Sequence, residues 1–379
     1  MTWNWQQPDW PDFSWDSALL RKAEQHFLVG SGVFAGTVRH LAAADREQFT
    51  IEAISTEALT TSEIEGEVLD RASVQSSVRR QLGLATGNRK VAPAERGISE
   101  MTVNLYRSFA EPLSDEMLFA WHRMLFGERG GVKEIGRYRS GKEPMEVVSG
   151  AAYAPKVHFE APPSSKIRRE MKRFVEWFNN TAPAKEAALP ALTRAGIAHL
   201  YFESIHPFED GNGRLGRAIA EKALAQGSGQ PTLNALAATM LTRRKAYYDA
   251  LEAANKSNEI TAWLSWFAGI AMEAQKRTAA SVEFLIDKTK LLDRMRGQLN
   301  ARQEKALLRM LREGPEGFKG GLSAGNYMTV TGTSAATAKG YIANCICCGS
   351  ESWLSKTHPS GELTMAATGS CQRTASPMC

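Results

Sequence analysis

Residues 206–217 read His-Pro-Phe-Glu-Asp-Gly-Asn-Gly-Arg-Leu-Gly-Arg, and an apolar helical pattern over Leu192–Ile205 leads directly into them. A second helix is predicted to begin near Asn212–Gly213. The glycines at 211 and 213 can adopt positive φ angles and let a ligand approach the backbone closely. Successive N–H groups at the start of a helix bind anions. The segment therefore predicts a helix–loop–helix unit that holds an anion.

Further side chains of this segment suit phosphate chemistry. Arg214 and Arg217 are three residues apart and project from one helical face. Asp210 precedes the glycines, where a carboxylate can hold Mg²⁺, and His206 has a pKa suited to a general base. Phe208 is expected to turn inward and anchor the loop. A histidine at a helix end is usually a cap or a core residue, and paired arginines are usually solvated. Because all these features occur together, they predict a nucleotide phosphoryl site.

In order and spacing, the segment resembles the signature of the Fic family, H-x-F-x-(D/E)-G-N-G-R-x-x-R, at every fixed position. The resemblance implies transfer of AMP from ATP to a hydroxyl side chain of a protein, with Mg²⁺ held by Asp210. His206 would deprotonate the hydroxyl group. Asn212 and the flanking glycine amides would hold the α-phosphate, with Arg214 and Arg217 on the β- and γ-phosphates. The residues of the signature implied in ATP binding are Asp210, Gly211, Asn212, Gly213, Arg214, Leu215, Gly216 and Arg217.

Helical patterns dominate the rest of the chain, and one region departs from them. Residues 127–163 are rich in glycine and proline, and β-like pieces at Met145–Val148 and Val157–Phe159 predict a short hairpin. The predicted fold class is therefore all-α with one small hairpin. Fic proteins carry a hairpin flap at this place, which aligns the target backbone by strand addition. By this resemblance, the nucleotide-facing residues of the flap are Val148, Ser149, Gly150 and Ala151.

After the signature, the resemblance implies that tyrosine and asparagine side chains face the adenine. Tyr247, Tyr248 and Asn255 are the matching candidates. Ordinary packing of a helix over 243–254 explains the two tyrosines equally well. The three residues favour adenine, but nothing in the sequence excludes transfer of UMP.

Upstream, Thr61-Ser62-Glu63-Ile64-Glu65-Gly66 ends a helical pattern and resembles the inhibitory signature of the family, (S/T)-x-x-x-E-(G/N). The resemblance implies that Glu65 pairs with Arg217 and removes the cation that the γ-phosphate needs. In related proteins the same glutamate can position water for the removal of AMP. We expect Glu63 and Glu67 to point away from the site, because helical geometry turns them to other faces.

The chain has 379 residues and a formal net charge of +5, a mild excess that permits contact with nucleic acid without arguing for it. No apolar run approaches the ~20 residues that span a bilayer, and residues 1–15 lack the features of a secretory signal. The expected location is therefore the cytoplasm, with no membrane partner. Trp3, Trp5, Trp10 and Trp15 predict an arm that packs on a larger body, similar to a domain that precedes Fic cores in bacterial proteins.

The C-terminal part has a different character. Helical patterns over 322–330 and 334–342, joined by Thr331-Gly332-Thr333, resemble a helix-turn-helix, whose second helix enters the DNA major groove. Bacterial relatives often end in a winged form of this module, but no wing follows here, which makes DNA binding doubtful. All five cysteines lie between 345 and 379. They fit neither a disulfide scaffold nor a zinc site, and suggest a tail that is disordered or frame-shifted.

These observations predict four parts: a tryptophan-rich helical domain with the inhibitory helix over 1–95, a Fic core over 96–290, a helix-turn-helix-like module over 291–343 and the tail over 344–379. The expected function is adenylylation of Ser, Thr or Tyr hydroxyl groups, on target proteins and on the chain itself, restrained by Glu65 and compatible with AMP removal. A homodimer is compatible with this function. The alternative is a DNA-binding transcriptional regulator whose core senses nucleotide.

Overall fold

The computed structural model shows the chain as two compact units, residues 1–279 and residues 280–379. The finer division into four parts stays a prediction. The residues that the structure describes are 2–85, 89–128, 131–149, 156–232, 234–311, 323–336 and 338.

Helices form nearly all of the regular structure of the first unit, which confirms the all-α class. A short 3-10 turn at Asn4–Gln6 precedes them, and one hairpin interrupts them, with strands β1 (Glu146–Ser149) and β2 (Lys156–Glu160). Within the described residues, no helix has both the length and the apolar character that a bilayer crossing demands. The helices that begin in this unit are α1 (Ser17–Arg39), α2 (Ala43–Ile64), α3 (Arg71–Gln81), α4 (Pro93–Ser108), α5 (Asp115–Phe126), α6 (Ser164–Asn180), α7 (Ala191–Ile205), α8 (Asn212–Ser228), α9 (Leu236–Thr242), α10 (Arg244–Ala254) and α11 (Thr261–Met295).

Local capping residues decide where several helices begin. The side chains of Asp16 and Ser114 accept hydrogen bonds from the first turns of α1 and α5. Asp70 caps α3 in the same way, although the apolar pattern does not predict this helix. Helix α4 begins at Pro93. Proline suits the first helical position, where its missing N–H would have no helical partner.

The central element of the first unit is α7, all of whose residues are buried. Around it pack α1, α6 and α8, and α8 also contacts α2, α4 and α5. A helix that is buried on every side belongs to the protein core. The core therefore supports both ends of the loop 206–211, which joins α7 to α8.

The predicted hairpin is confirmed. Strands β1 and β2 pair antiparallel, with Val147 opposite Phe159 and Val148 opposite Val157, and the register shifts between these two pairs. Phe159 is buried, whereas Val147 and Val148 are exposed. The hairpin thus packs through β2 and presents apolar side chains of β1 to solvent.

The N-terminal arm packs on the hairpin and on α7, as its tryptophans predict. The indole N–H of Trp5 donates to the carbonyl of Glu160 at 2.6 Å, and the Trp3 ring meets a phenylalanine of β2 edge to face at 5.4 Å. The side chain of Asn4 donates to Ser204 on α7 at 2.8 Å. The arm therefore joins the hairpin to the central helix.

The second unit contains α12 (Ala301–Leu311) and α13 (Ala324–Thr331). Gly332 ends α13 with a φ of 70°, which confirms the turn predicted there. Of the second helix predicted over 334–342, residues 335, 336 and 338 are helical and Ser334 is not. Residues 337 and 339–342 lie outside the described residues, as do the five cysteines. The residues buried together in this unit are Ala306, Tyr327 and Ala338.

We expect Gly97→Ala to destabilise the first unit. Gly97 on α4 lies directly against the carbonyl of Met124 on α5, so a Cβ there would collide with backbone. Overpacking of this kind costs about 1–3 kcal/mol in the free energy of unfolding. Gly32→Ala is the matched control: this helical glycine has nothing within 4 Å of an added Cβ, so alanine should stabilise by about 0.5–1 kcal/mol. Thermal unfolding followed by circular dichroism measures both signs, and an unchanged or higher melting temperature for Gly97→Ala would contradict this packing.

Candidate active site

The loop 206–211 is fixed by its own backbone and side chains. His206 ends α7 in the left-handed region, at φ 50° and ψ 60°, which costs a non-glycine residue ~1–2 kcal/mol. Gly211 starts α8 at φ 81°, where glycine carries no such cost. The side chain of Asn212 donates to the carbonyl of Phe208 and accepts from its N–H, both at 2.9 Å. Asn212 therefore shapes the loop, and its contact with an α-phosphate stays a prediction.

Phe208 anchors the loop in the core, as predicted. Its ring is fully buried and stacks on the imidazole of His122 at 4.4 Å between centroids. Burial lowers the pKa of His122 to about 4, so this ring is neutral at pH 7. Nδ1 accepts from the N–H of Gly136 at 3.0 Å, so the proton is on Nε2, which donates to the carbonyl of Asp210 at 3.2 Å. His122 thus holds both the apolar anchor and the acidic end of the loop.

A buried arginine before β1 holds the backbone of the same loop. Arg139 donates from Nε to the carbonyl of His206 at 2.8 Å and from Nη2 to the carbonyl of Pro162 at 2.5 Å. Its main-chain N–H donates to the carbonyl of Pro207 at 3.0 Å. Because Pro162 follows β2, Arg139 connects the loop to the base of the hairpin.

The imidazole of His206 is neutral. Burial and the positive charge of Arg139 lower its pKa to about 4, against opposing effects of Glu203 and Glu65. The carboxyl group of Glu203 lies 3.8 Å from Nδ1, and burial raises its pKa to about 8. At pH 7 the histidine can therefore accept a proton.

Arg217 is buried at the start of α8, with 1% of its side chain exposed. It donates to the Glu65 carboxylate at 2.6 Å and to the hydroxyl and carbonyl oxygens of Thr61 at 2.8 and 2.9 Å. The contact predicted between Glu65 and Arg217 is thus present. Burial lowers the pKa of Arg217, but the charge and hydrogen bond of Glu65, together with Tyr247 and Glu203, outweigh this effect and raise the pKa above its usual value.

Arg214 is equally buried and has a carboxylate partner of its own, Glu67, at 3.0 Å. Our expectation that Glu67 points away from the site is therefore wrong. Glu67 does not follow helical geometry, because α2 ends at Ile64 and Gly66 turns the chain with a φ of 86°. Glu63 is exposed, in line with the expectation.

The two arginines keep unused donors at the start of α8. Among the described residues, Nη1 of Arg217 and Nε of Arg214 are buried and find no hydrogen-bond partner. A Cβ added to Gly213 would collide with Oε1 of Glu65, so this carboxylate lies against the first helical turn. Anions bind at such N-termini because of the free N–H groups and the helix dipole. A carboxylate therefore occupies the predicted anion position.

Asp210 presents its carboxylate to solvent, with 61% of the side chain exposed. Its Oδ1 accepts from the N–H of Gly211 at 2.5 Å. Within the described part of the chain, no three His, Cys, Asp or Glu side chains are grouped so as to hold a metal ion. A single exposed carboxylate fits Mg²⁺, which commonly takes its other ligands from phosphate oxygens and water. The predicted metal role of Asp210 therefore depends on a bound nucleotide.

Two residues of the signature serve the packing of α8 instead. Leu215 is fully buried in the core, and its N–H donates to the carbonyl of Gly211 at 3.0 Å. Gly216 faces α7, where a Cβ would collide with the carboxyl group of Glu203. No side chain at either position reaches the anion position, so the ATP contacts predicted for Leu215 and Gly216 have no side-chain basis.

Comparison with known protein families finds two matches in this chain. Residues 112–224 match the Fic/DOC family, and residues 3–84 match a domain of unknown function, DUF4172. The first range contains the hairpin, the loop and both arginines. We call residues 112–224 the Fic/DOC domain, after the family that they match. The second range contains Glu65 and Glu67, so the two ion pairs join the N-terminal domain to the Fic/DOC domain.

The chain is similar to a probable protein adenylyltransferase of Aquifex aeolicus, with 30% identity over 110 residues, 29% of this chain and 29% of that protein. It is 26% identical over 145 residues to a protein adenylyltransferase of Caenorhabditis elegans, 38% of this chain and 25% of that protein. The matched segments thus cover less than a third of these two relatives.

Two crystal structures share the fold. A Fic family protein from Desulfovibrio desulfuricans has a TM-score of 0.51 at 21% identity, covering 93% of this chain and 97% of that one. A Fic domain-containing signaling protein from Bacteroides thetaiotaomicron has a TM-score of 0.52 at 17% identity, covering 69% of this chain and 97% of that one. The mostly helical fold with its two-stranded sheet is therefore a Fic fold.

The hairpin of the Fic/DOC domain is tied to α10 by a histidine. His158 on β2 contacts Ser149 through Nε2 and Glu252 through Nδ1, both at 2.6 Å. Val148 is 49% exposed. The nucleotide contacts of the flap stay predictions, and two of the four residues lie outside the described ones, Gly150 and Ala151.

The three candidates for the adenine side lie in different environments. Tyr248 is 40% exposed, and its hydroxyl donates to the last carbonyl of α2 at 3.2 Å, directly before Glu65. Tyr247 is buried and bonds to a histidine of α7 at 2.9 Å. Asn255 is buried and accepts from a serine of α7 at 3.1 Å. Of the three, only Tyr248 has an exposed face, and the adenine contacts stay predictions.

Some residues of the site carry no recognisable sequence signal. The contacts that Arg139 and His122 make with the loop span 67 and 88 residues of sequence, and both residues lie outside any signature. Thr61 is different, because it opens the inhibitory signature, and its fixed spacing from Glu65 is a usable signal. The long-range contacts become visible only in the fold.

We expect Arg139→Met to loosen the loop of the Fic/DOC domain. The change leaves the carbonyls of His206 and Pro162 without this donor, at about 1–3 kcal/mol for each buried group, so amide hydrogen exchange in 206–211 should be at least ~10-fold faster. Mass spectrometry measures this exchange. Arg137→Met is the matched control, because this side chain is 66% exposed. Equal exchange in the two variants would show that the loop does not depend on Arg139.

Proposed function

We propose that this chain is a protein adenylyltransferase, which transfers AMP from ATP to a Ser, Thr or Tyr hydroxyl group of a target protein. The observation that carries the proposal is the junction of α7 and α8. The neutral imidazole of His206 lies on one side, and the buried guanidinium groups of Arg214 and Arg217 keep unused donors on the other. The names of the two matched relatives support the same reaction.

The reaction needs a base, a leaving group and groups that bind three phosphates. His206 would take the proton of the target hydroxyl as its oxygen attacks the α-phosphorus of ATP. The bond from that phosphorus to the bridging oxygen breaks on the opposite side, and pyrophosphate leaves with the bonding electrons. The first N–H groups of α8 would face the α-phosphate, with Arg214 on the β-phosphate and Arg217 on the γ-phosphate. Positioning and charge stabilisation lower the barrier.

The protonation state of His206 fits this role. With a pKa of about 4 the imidazole is unprotonated throughout pH 6–8, so it is available as a base. Negative charge nearby raises the pKa of a histidine, as Glu65 already does here. A bound triphosphate would act in the same direction and bring the pKa closer to the working pH, where general bases are most effective.

Asp210 would hold Mg²⁺ against the phosphates. When bound, the ion would supply positive charge to the triphosphate. Oδ1 of Asp210 lies 3.8 Å from Arg214, so this carboxylate borders the same phosphate position. Its exposure leaves room for further ligands from water and phosphate.

In this proposal Glu65 inhibits the enzyme. Its carboxylate contacts Arg217 and lies against the first turn of α8, where phosphate has to bind. Two like charges ~4 Å apart repel by about 4 kcal/mol at an effective dielectric constant of 20. ATP would therefore bind with its α-phosphorus out of line for attack. The side chain is also 30% exposed, which suits it to orient water for the removal of AMP.

His206→Ala should abolish AMP transfer and leave ATP affinity largely unchanged. Loss of a general base lowers rates by ~10²–10⁴, whereas the phosphate contacts belong to α8. Incubation with labelled ATP and lysate measures transfer, and calorimetry measures ATP affinity. His40→Ala, at the exposed end of α1, is the control. Undiminished labelling by His206→Ala would refute the role of this residue.

Glu65→Gly should raise AMP transfer, including transfer to the chain itself. A small misplacement of a substrate can lower a rate ~10²-fold, so an increase of this order is expected when the carboxylate is removed. Initial rates with labelled ATP measure the change. Glu63→Gly places the same flexible residue at the same helix end, and it should not activate. Equal activation by both variants would mean that loosening α2, and not removal of a charge, is responsible.

A further inference from the structure

Two carboxylates on one short turn neutralise the two arginines at the start of α8, Arg214 and Arg217. Glu65 lies 2.6 Å from Arg217, and Glu67 lies 3.0 Å from Arg214. Both guanidinium groups are almost completely buried, and a buried charge that loses its partner is strongly destabilising. The remaining carboxylate near Arg214, that of Asp210, is 3.8 Å away and 61% exposed. Glu67 is therefore the stronger counterion of Arg214.

The backbone at the end of α2 explains why both carboxylates face α8. The N–H of Gly66 donates to the carbonyl of Glu63 at 3.0 Å, and the N–H of Glu67 donates to the carbonyl of Ser62 at 3.0 Å. This pair of bonds with a left-handed glycine is the Schellman motif, which ends many helices. The main-chain bonds therefore fix the positions of Glu65 and Glu67 relative to each other.

We propose that Glu67 is a second inhibitory carboxylate, which masks Arg214 while Glu65 masks Arg217. The inference rests on the function proposed above, in which Arg214 and Arg217 bind the β- and γ-phosphates respectively. Under that function, Glu65 opposes mainly a nucleotide with a γ-phosphate, whereas Glu67 opposes diphosphates and triphosphates alike. Removal of Glu65 alone leaves Glu67 opposed to the β-phosphate, so it relieves the inhibition only in part.

Calorimetric titration with ADP and with ATP separates the two carboxylates. Glu67→Gln keeps a side chain that can hydrogen-bond Arg214 but removes the charge, so it should tighten the binding of both nucleotides by at least ~5-fold. Glu65→Gln should tighten ATP binding more than ADP binding. Glu63→Gln is the matched control, because Glu63 is exposed and should change neither affinity by more than about twofold.

A backbone variant tests the turn without changing either carboxylate. Gly66 has a φ of 86° with open space around it, so alanine there is strained by ~1–2 kcal/mol and should displace both carboxylates. Gly83→Ala is the matched control, because Gly83 ends α3 with a φ of 80° and the same pair of backbone bonds. We expect Gly66→Ala alone to raise ADP affinity and the rate of AMP transfer.

The outcomes distinguish this inference from the proposed function. If Glu65→Gly transfers AMP while Glu67→Gln binds ADP no better than the wild type, the inference fails and the proposed function stands. If no variant binds ATP or transfers AMP, the proposed function fails and the inference with it. If Glu67→Gln melts at a markedly lower temperature than the wild type, the ADP affinities of Gly66→Ala and Gly83→Ala decide. A higher affinity in Gly66→Ala alone supports the inference, and equal affinities in the two variants overturn it.

Discussion

The buried guanidinium group of Arg217 is the constraint on which the site depends. A charge with 1% exposure has almost no contact with water, so a partner of opposite charge must lie beside it. Two partners suit this position, the carboxylate of Glu65 and a phosphate at the start of α8. In the proposed function the carboxylate and the phosphate need the same space and carry the same sign of charge, so they would exclude each other. The competition follows from the burial of one arginine and needs no change of fold.

In the proposed function, the competition at Arg217 also affects the general base His206, which lies in the loop before α8. Arg139 holds the carbonyl of His206 at the start of the loop, and Phe208 anchors the loop in the core. His206 itself bears the strain of a left-handed backbone. The strained turn opens the loop that leads from this imidazole to a helix N-terminus that attracts anions. An anion that reaches the first turn of α8 therefore arrives beside a neutral proton acceptor. The same charge that binds at the helix also raises the pKa of His206, as the effect of Glu65 shows.

Local sequence predicts the parts of this fold whose causes are local. The hairpin and the helix–loop–helix unit depend on residues a few positions apart, and they are confirmed. Helix α3 is not predicted, because its sequence is mostly polar and only Val74 and Val78 form its buried apolar stripe. The hydrogen bond from Arg139 to the carbonyl of His206 is not predicted either, since it joins residues 67 positions apart. The predicted direction of the Glu67 side chain is wrong, because the prediction extends helical geometry past a glycine that ends the helix.

In the proposed function, release of Arg217 would need a rotation of the Glu65 side chain and no displacement of α2. Arg217 is held by the hydroxyl and the carbonyl of Thr61 as well as by Glu65. Neither oxygen of Thr61 carries a full charge, so both bonds can persist when a phosphate replaces the carboxylate. The hydroxyl of Tyr248 further ties the end of α2 through the last carbonyl of the helix. Since 30% of the Glu65 side chain is exposed, its carboxylate can turn into solvent while these bonds keep the helix in place.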